Sequence, residues 1–293
     1  MEEKPYQEYY LDVRKQKSAN KVLVWFVCVC AIIFVLFFTI NHFFEQKYTY
    51  ITVCGESMQP TLNPNGVVEL YQDNGKIKEG TFQDGAYMVN TDDITYGDII
   101  VIEKTYSSPN KTVVKRALAF EGDYITIAKV EVEEEIYEFR FMIVRAGSSA
   151  VEVVKEDYIK SYRVWTDIYS PSKSQIPQDE ETSEIVYESE FFETFVRLKY
   201  ESKLFTVDQL GGSEAKFFKV PNDSVFFMGD NRTNSSDSRS LGTGLMSNVP
   251  GKIIKIVRNG VHYKGNNFHS FYRFGAFLEL IWQEFLRFFG VNI

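Results

Sequence analysis

From Val22 to Phe44 the chain runs for 23 residues without Asp, Glu, Lys or Arg, and Val22–Ile40 is nearly all Val, Ile, Leu, Phe, Trp, Cys and Ala. At about 1.5 Å per residue, some 20 residues cross a hydrocarbon core of about 30 Å. Helices buried in soluble proteins rarely stay apolar on every face for so long. A cleavable leader has a shorter apolar region of about 7–15 residues and ends in a small-x-small site. Here the exit reads Thr39-Ile-Asn-His-Phe-Phe-Glu45. The pattern predicts an uncleaved transmembrane helix over 22–44.

Beyond it the period changes. Thr49–Val53, Gly66–Leu70, Ala86–Val89, Ile99–Ile102, Lys111–Lys115 and Tyr124–Ile127 read as short strands with turns between them, Tyr96-Gly97-Asp98 and Gly122-Asp123 among the turns. Ser224–Met228 and Gly251–Arg258 resume the pattern. Short strands at this spacing predict a mainly β fold, a barrel or coiled antiparallel sheet. Between the two strand groups, residues 128–219 hold an acidic run, Glu131–Glu138, and a polar stretch, Ser170–Ser183. The run reads as a solvated strand face or loop, and the region as an inserted β-rich cap. Near the C-terminus Phe274, Phe277, Leu278, Ile281, Phe285 and Phe288 recur at spacings of three and four, which predicts a helix. Such an aromatic amphipathic helix suits either a membrane interface or docking on its own protein. The expected division is a tail 1–21, a transmembrane helix 22–44, core parts 45–127 and 220–265 around the cap 128–219, and an amphipathic helix 266–293.

Charge sets a direction. Arg14, Lys15, Lys17 and Lys21 precede the span, whereas residues 45–64 carry only Lys47. By the positive-inside rule the tail is cytoplasmic and all that follows the span is outside. The tail's five basic and four acidic residues give it +1, so of the whole chain's −8 the exported part carries −9. That sign argues against a nucleic-acid partner. With 44% apolar and 25% charged residues the chain is neither disordered nor fibrous. Cys28 and Cys30 lie in the span, which leaves Cys54 alone outside and no intramolecular disulfide there. Three histidines offer little to a metal centre, and no metal or cofactor is expected.

Candidate chemistry starts at Gly55-Glu-Ser57-Met-Gln-Pro60-Thr61. Glycine and proline shape a turn that can present a hydroxyl beside free backbone N–H groups. A serine nucleophile needs a base. His42, His262 and His269 have no acidic partner motif nearby. Lys115 follows Val113-Val114 in an apolar strand. A lysine there serves as base only if desolvated enough to lose its proton, and on its own such a lysine ordinarily snorkels to water.

In combination the segments resemble the type I signal peptidases, membrane-anchored Ser/Lys proteases. Ser57-Met-Gln-Pro-Thr61 resembles that family's nucleophile box, and Tyr96-Gly-Asp-Ile-Ile100 its Gly-Asp box. Lys115-Arg116 followed by Gly122-Asp123 resembles the lysine box, and Gly229-Asp-Asn-Arg…Ser235-x-Asp237-Ser-Arg239 the last box. The order of the boxes and the preceding single anchor match, as in Gram-positive members. The cap and the C-terminal helix have no counterpart in the resemblance.

The resemblance implies Ser57 as nucleophile, Lys115 as general base and Ser235 as the serine that orients the lysine. It implies the Ser57 N–H as one oxyanion donor, in a hole completed near Gly55. Arg116, Asp230, Asp237 and Arg239 are expected to brace the site, and Val53 and Met58 to line the substrate. Gly55 stands where some members carry a hydroxyl, which leaves the second oxyanion donor unassigned. Phe120-Glu121-Gly122-Asp123 has no proline before its Gly-Asp. The implied substrate is a signal peptide of a secretory preprotein with an A-x-A-like site, the implied location a bacterial plasma membrane, and the further partners the lipid bilayer and the protein-export translocon. Two alternatives use the same residues differently: a non-catalytic assembly factor for surface structures, and a peptidase dedicated to one secretion or pilus pathway. A self-cleaving repressor-type protease would carry a DNA-binding domain in place of the anchor. Cys54, beside the serine turn, has no assigned role.

Overall fold

The computed structural model describes residues 6–64, 72–73, 76–77, 83–103, 112–133, 136–156, 158, 191–232, 234–261 and 268–291. They form two compact units, divided after Tyr48. The first unit is a single long helix, α1, Tyr6–Lys47. Its stretch Ser18–Lys47 reaches a mean hydropathy of 3.0 and buries none of its apolar window within the protein. A helix this apolar and this unburied satisfies all its backbone groups internally, as a bilayer requires.

The second unit is mainly β. A 7-stranded sheet runs β1 (Tyr48–Thr52), β4 (Gln83–Asn90), β14 (Gly251–Val261), β5 (Ile99–Ile102), β6 (Val113–Phe120), β12 (Ser224–Met228) and β13 (Gly244–Leu245), in that spatial order. Its pairings β4–β14, β14–β5, β5–β6 and β6–β12 are antiparallel. The short pair β2 (Gln72–Asp73) and β3 (Lys76–Ile77) stands apart. The strand expected at Gly66–Leu70 and the polar stretch Ser170–Ser183 lie outside the described residues.

A 5-stranded sheet holds β10 (Ser202–Val207), β11 (Ser213–Lys219), β7 (Tyr124–Glu133), β8 (Ile136–Val144) and β9 (Val151–Val153). This is the segment read as a cap, although its sheet begins at Tyr124 and not at 128. It is more than a cover. Ile125, Ile127, Phe141 and Ile143 from this sheet share one core with Leu118, Phe226 and Met228 of the larger sheet. Phe191 and Phe195, on a helix through 191–197 (α2), complete that core, with aromatic rings meeting edge-on or tilted. Of the acidic run Glu131–Glu138, the described residues on either side of 134–135 pair at the far ends of β7 and β8.

Two further helices follow: the short α3, Ser238–Leu241, and the terminal α4, Phe268–Phe288. Inside the large sheet, β6 is buried along most of its length. Such a strand normally carries only apolar residues, so Lys115 and Arg116 in its middle require partners.

Candidate active site

Lys115 and Arg116 are successive residues of β6 and therefore leave it on opposite faces. Pairing with β5 fixes the register, Ile100 opposite Lys115 and Ile99 opposite Arg116. Lys115 is 3% exposed. Its Nζ donates to Ser57 Oγ at 2.7 Å and to the Val114 carbonyl at 3.0 Å. Two residues that are 58 positions apart in sequence are thereby brought into direct contact.

Ser57 sits in the turn after β1. Gly55 takes a φ of 88°, a conformation that side chains disfavour. The next turn is tied down from several sides. Asn63 donates its Nδ2 to the carbonyls of Val53 and Gly55, at 2.9 and 3.1 Å. Arg258 of β14 donates to Asp84 and, at 2.8 Å, to the Thr61 carbonyl. No described acceptor takes the Ser57 N–H, so that donor is available beside Ser57 Oγ.

The loop after β12 closes over this turn. Asn231 donates its N–H to the Ser57 carbonyl at 3.0 Å and its Nδ2 to the Glu56 carbonyl at 3.1 Å. Gly229 is the point of closest approach. A Cβ there would stand 2.1 Å from Ser235 Oγ and 2.5 Å from the Ser57 carbonyl oxygen. Only glycine fits. The Gly229 peptide is gripped at both ends: its N–H donates to Asp237 Oδ2 at 3.1 Å, and its carbonyl accepts from Arg232 Nε at 2.9 Å.

The four residues expected to brace the site form two ion pairs. Arg116 donates to Asp230 Oδ1 at 2.8 Å and to Oδ2 at 2.5 Å, and also to the Gly97 carbonyl at 2.7 Å. Thr61 of the turn that carries Ser57 donates to the same Asp230 oxygen at 2.5 Å. Arg239 pairs with Asp237 at 2.9 and 3.0 Å. Burial alone would raise the Asp237 pKa, but the Arg239 charge, its hydrogen bonds and the Gly229 N–H together hold it below the usual carboxylate range. Asp98 of the Gly-Asp turn shows the same balance: partial burial is outweighed by hydrogen bonds from Lys252 and Thr95, and its pKa is lowered.

Ser235 is in this cluster but does not bond to Lys115. Its hydroxyl oxygen is buried and near enough to favour the Asp237 charge, yet among the described residues it makes no hydrogen bond of normal geometry. Val53 and Met58 are buried at 3% and 2%, packed with Leu62 and Ala86 and against Val114 and Ile99. Gly55 is exposed and open to solvent.

Residues 20–257 match one protein family, described as signal peptidase, peptidase S26. The chain belongs to that family. The match spans the apolar part of α1, the Ser57 turn, β6 and the closing loop, and it ends before α4. A signal peptidase I from Buchnera aphidicola is 24% identical over 258 residues, covering 82% of this chain and 77% of its own length. A crystal structure of a signal peptidase I from Enterococcus faecalis aligns with 55% of this chain and 97% of its own, at 16% identity and a TM-score of 0.29. Membership in the signal peptidase family makes the chain a serine peptidase, and its N-terminal apolar helix is long and apolar enough to anchor it in a membrane.

Several residues that hold this signal peptidase site are silent in the sequence. Asn63, Asp84 and Arg258 clasp the serine turn from three separate segments. Glu156, after β9, forms a fully buried pair with Arg232, whose Nη1 lies 3.1 Å from Glu156 Oε2. Tyr158 stacks on Arg116 at 3.7 Å and donates to Glu156 at 3.0 Å, and burial followed by the Glu156 charge raises its pKa. A lone Asn, Glu or Arg has no local signature, because its meaning comes from the partner that folding brings to it.

Proposed function

We propose that the chain is a membrane-anchored endopeptidase that removes signal peptides from exported preproteins, with Ser57 as nucleophile and Lys115 as general base. The observation that carries this reading is the 2.7 Å contact between Lys115 Nζ and Ser57 Oγ, made by a lysine with almost no access to water. Burial disfavours the ammonium form, and a neutral amine is what a base must be.

In the proposed first step Lys115 Nζ takes the Ser57 hydroxyl proton as Oγ bonds to the scissile carbonyl carbon. The carbonyl oxygen gains negative charge and is stabilised by the unengaged Ser57 N–H. Lys115 then passes its proton to the departing amine as the peptide C–N bond breaks. A water attacks the acyl-serine ester, Lys115 takes its proton, and return of that proton to Ser57 Oγ restores the enzyme. Ser235, whose buried hydroxyl is unengaged, is the group proposed to hold the ammonium between these transfers. Arg116, Asp230, Asp237 and Arg239 keep the two strands and the closing loop in register, at a distance from the reacting atoms.

Val53 and Met58 are proposed as walls for small side chains of an extended A-x-A-like segment. The tail 1–21 is proposed to be cytoplasmic and the second unit to lie outside a bacterial plasma membrane, following the basic residues before the span. The translocon is a proposed partner on the same basis. A non-catalytic assembly factor is not favoured, because serine and lysine are both present and in contact. A peptidase dedicated to one secretion or pilus pathway would share this site and differ only in its substrates.

The test uses the full chain in lipid vesicles and a preprotein with an A-x-A-like site. Ser57→Ala and Lys115→Ala should each lower cleavage by about 10³-fold or more with an unchanged melting temperature. Near-full activity in Lys115→Ala would sink the Ser/Lys assignment. Preproteins that accumulate uncleaved on depletion would define the substrate range.

A further inference from the structure

The terminal helix α4 is arranged inside out for a helix in water. Ala276, Phe277 and Leu280 are buried, and the helix packs on β14, where Glu279 bonds Lys255 at 2.5 Å. Phe274, Leu278, Trp282, Phe285 and Phe289 follow one another at spacings of four, four, three and four, which is one face of an α-helix. They are 50%, 49%, 58%, 49% and 64% exposed. The charged residues Arg273, Glu279, Glu284 and Arg287 fall on the docked side or at its flank, and none interrupts the exposed stripe. A helix that merely covered its own protein would turn those charges outward and its aromatics inward.

An apolar face of this kind needs a cover. Three observations select lipid. The chain carries its own apolar span, and α1 ends at Lys47 where β1 begins at Tyr48, so no linker can carry the second unit far from a bilayer. The stripe is aromatic, with Trp282 stacked on Phe285 at 5.4 Å, and Trp and Phe are residues that settle at the boundary of headgroups and acyl chains. The flanking charge of Glu279 is already neutralised by Lys255, so insertion of the stripe strips water from no unpaired charge there. The helix lies beyond the residues that match the family, so this is a feature of this chain and not of the shared catalytic core.

We propose that α4 is a second membrane contact: it lies flat in the bilayer interface, with the Phe274–Phe289 stripe inserted and the Ala276–Phe277–Leu280 face attached to β14. The second unit is then held to the bilayer at two points, the covalent one before Tyr48 and this helix. The inference rests on the reading of α1 as a span and is independent of the peptidase assignment.

The test is fluorescence of Trp282 in the full chain, reconstituted in phosphatidylcholine vesicles. Trp25→Phe and Trp165→Phe leave Trp282 as the sole tryptophan, and an unchanged melting temperature reports an intact fold. The stripe should reach about 5–10 Å below the headgroups, so lipids brominated near the top of the acyl chain should quench Trp282 by about half or more, and tail-end bromines less. Aqueous iodide should quench it weakly. Emission open to iodide and untouched by brominated lipid would overturn the proposal. Shielding from iodide without quenching by brominated lipid would assign the stripe to protein, a second copy if it weakens on dilution in lipid, and would overturn it too. None of these readouts uses catalysis, so a failed Ser/Lys assignment would leave them unaffected.

Discussion

Asn63 and Asp84 hold each other by two reciprocal hydrogen bonds: the Asn63 N–H donates to Asp84 Oδ2 at 2.9 Å, and the Asp84 N–H donates to Asn63 Oδ1 at 2.7 Å. With its Nδ2 on the Val53 and Gly55 carbonyls, Asn63 thus fastens the serine turn to β4 from within. Its φ of 52° is one that asparagine tolerates and alanine does not. Asn63→Ala leaves buried backbone groups unpaired and adds strain, at a cost of about 2–3 kcal/mol, or about 4–10 °C in melting temperature. Because the turn carries Ser57, kcat should fall at least about tenfold. Asn63→Gly relieves the strain but not the lost bonds, so it should recover part of the stability and little of the activity. Wild-type kcat in both variants would show that the clasp has no bearing on Ser57.

Gly229 tests the same positioning from the other side. A methyl group there meets the Ser57 carbonyl oxygen, which is backbone and cannot swing aside. Gly229→Ala should cost about 1–3 kcal/mol through overpacking and lower kcat together with melting temperature. A stable variant with unchanged kcat would mean that the loop after β12 can move without displacing the serine.

Ser235 separates chemistry from stability. Among the described residues its buried hydroxyl has no hydrogen bond to lose, so Ser235→Ala should change stability by less than about 0.5 kcal/mol. If the hydroxyl holds the lysine ammonium during turnover, kcat should nevertheless fall by about 10–10³-fold with KM little changed. Measurement of both on the purified chain decides it, and unchanged kcat would remove Ser235 from the mechanism.

What the sequence made legible, and what it did not, follows from the range of the interactions. The anchor was readable because apolarity over 23 residues is a local property, and the strands of the large sheet because their apolar runs and Gly-Asp turns are local too. Ser57 and Lys115, which the structure brings into contact, stand out in the sequence only as members of an ordered set, since either alone is an ordinary turn serine or strand lysine. The clasp by Asn63, Asp84 and Arg258 and the buried Glu156–Arg232 pair were not readable, because each joins residues far apart in the chain that have no motif of their own. For the same reason the sequence of the inserted cap 128–219 does not show which of its residues join the core. Its Phe141 and Phe191 become core only when they meet Phe226 of β12.

Asp237 ties the site to pH. It is buried, its pKa is depressed, and it is bound by Arg239 and by the Gly229 N–H. A depressed folded-state pKa means that the unfolded chain binds the proton more readily, so the stabilisation is complete above the ordinary carboxylate value of about 4 and is lost as pH falls through the lower, folded-state value. Asp237→Asn leaves Arg239 with a neutral partner, and at neutral pH it should cost about 3 kcal/mol. Melting curves of the two proteins should therefore differ most at pH 6–7 and converge as pH is lowered toward and below the carboxylate range. A difference that stayed constant down to acid pH would show that the charge of Asp237 contributes nothing and that only its shape matters.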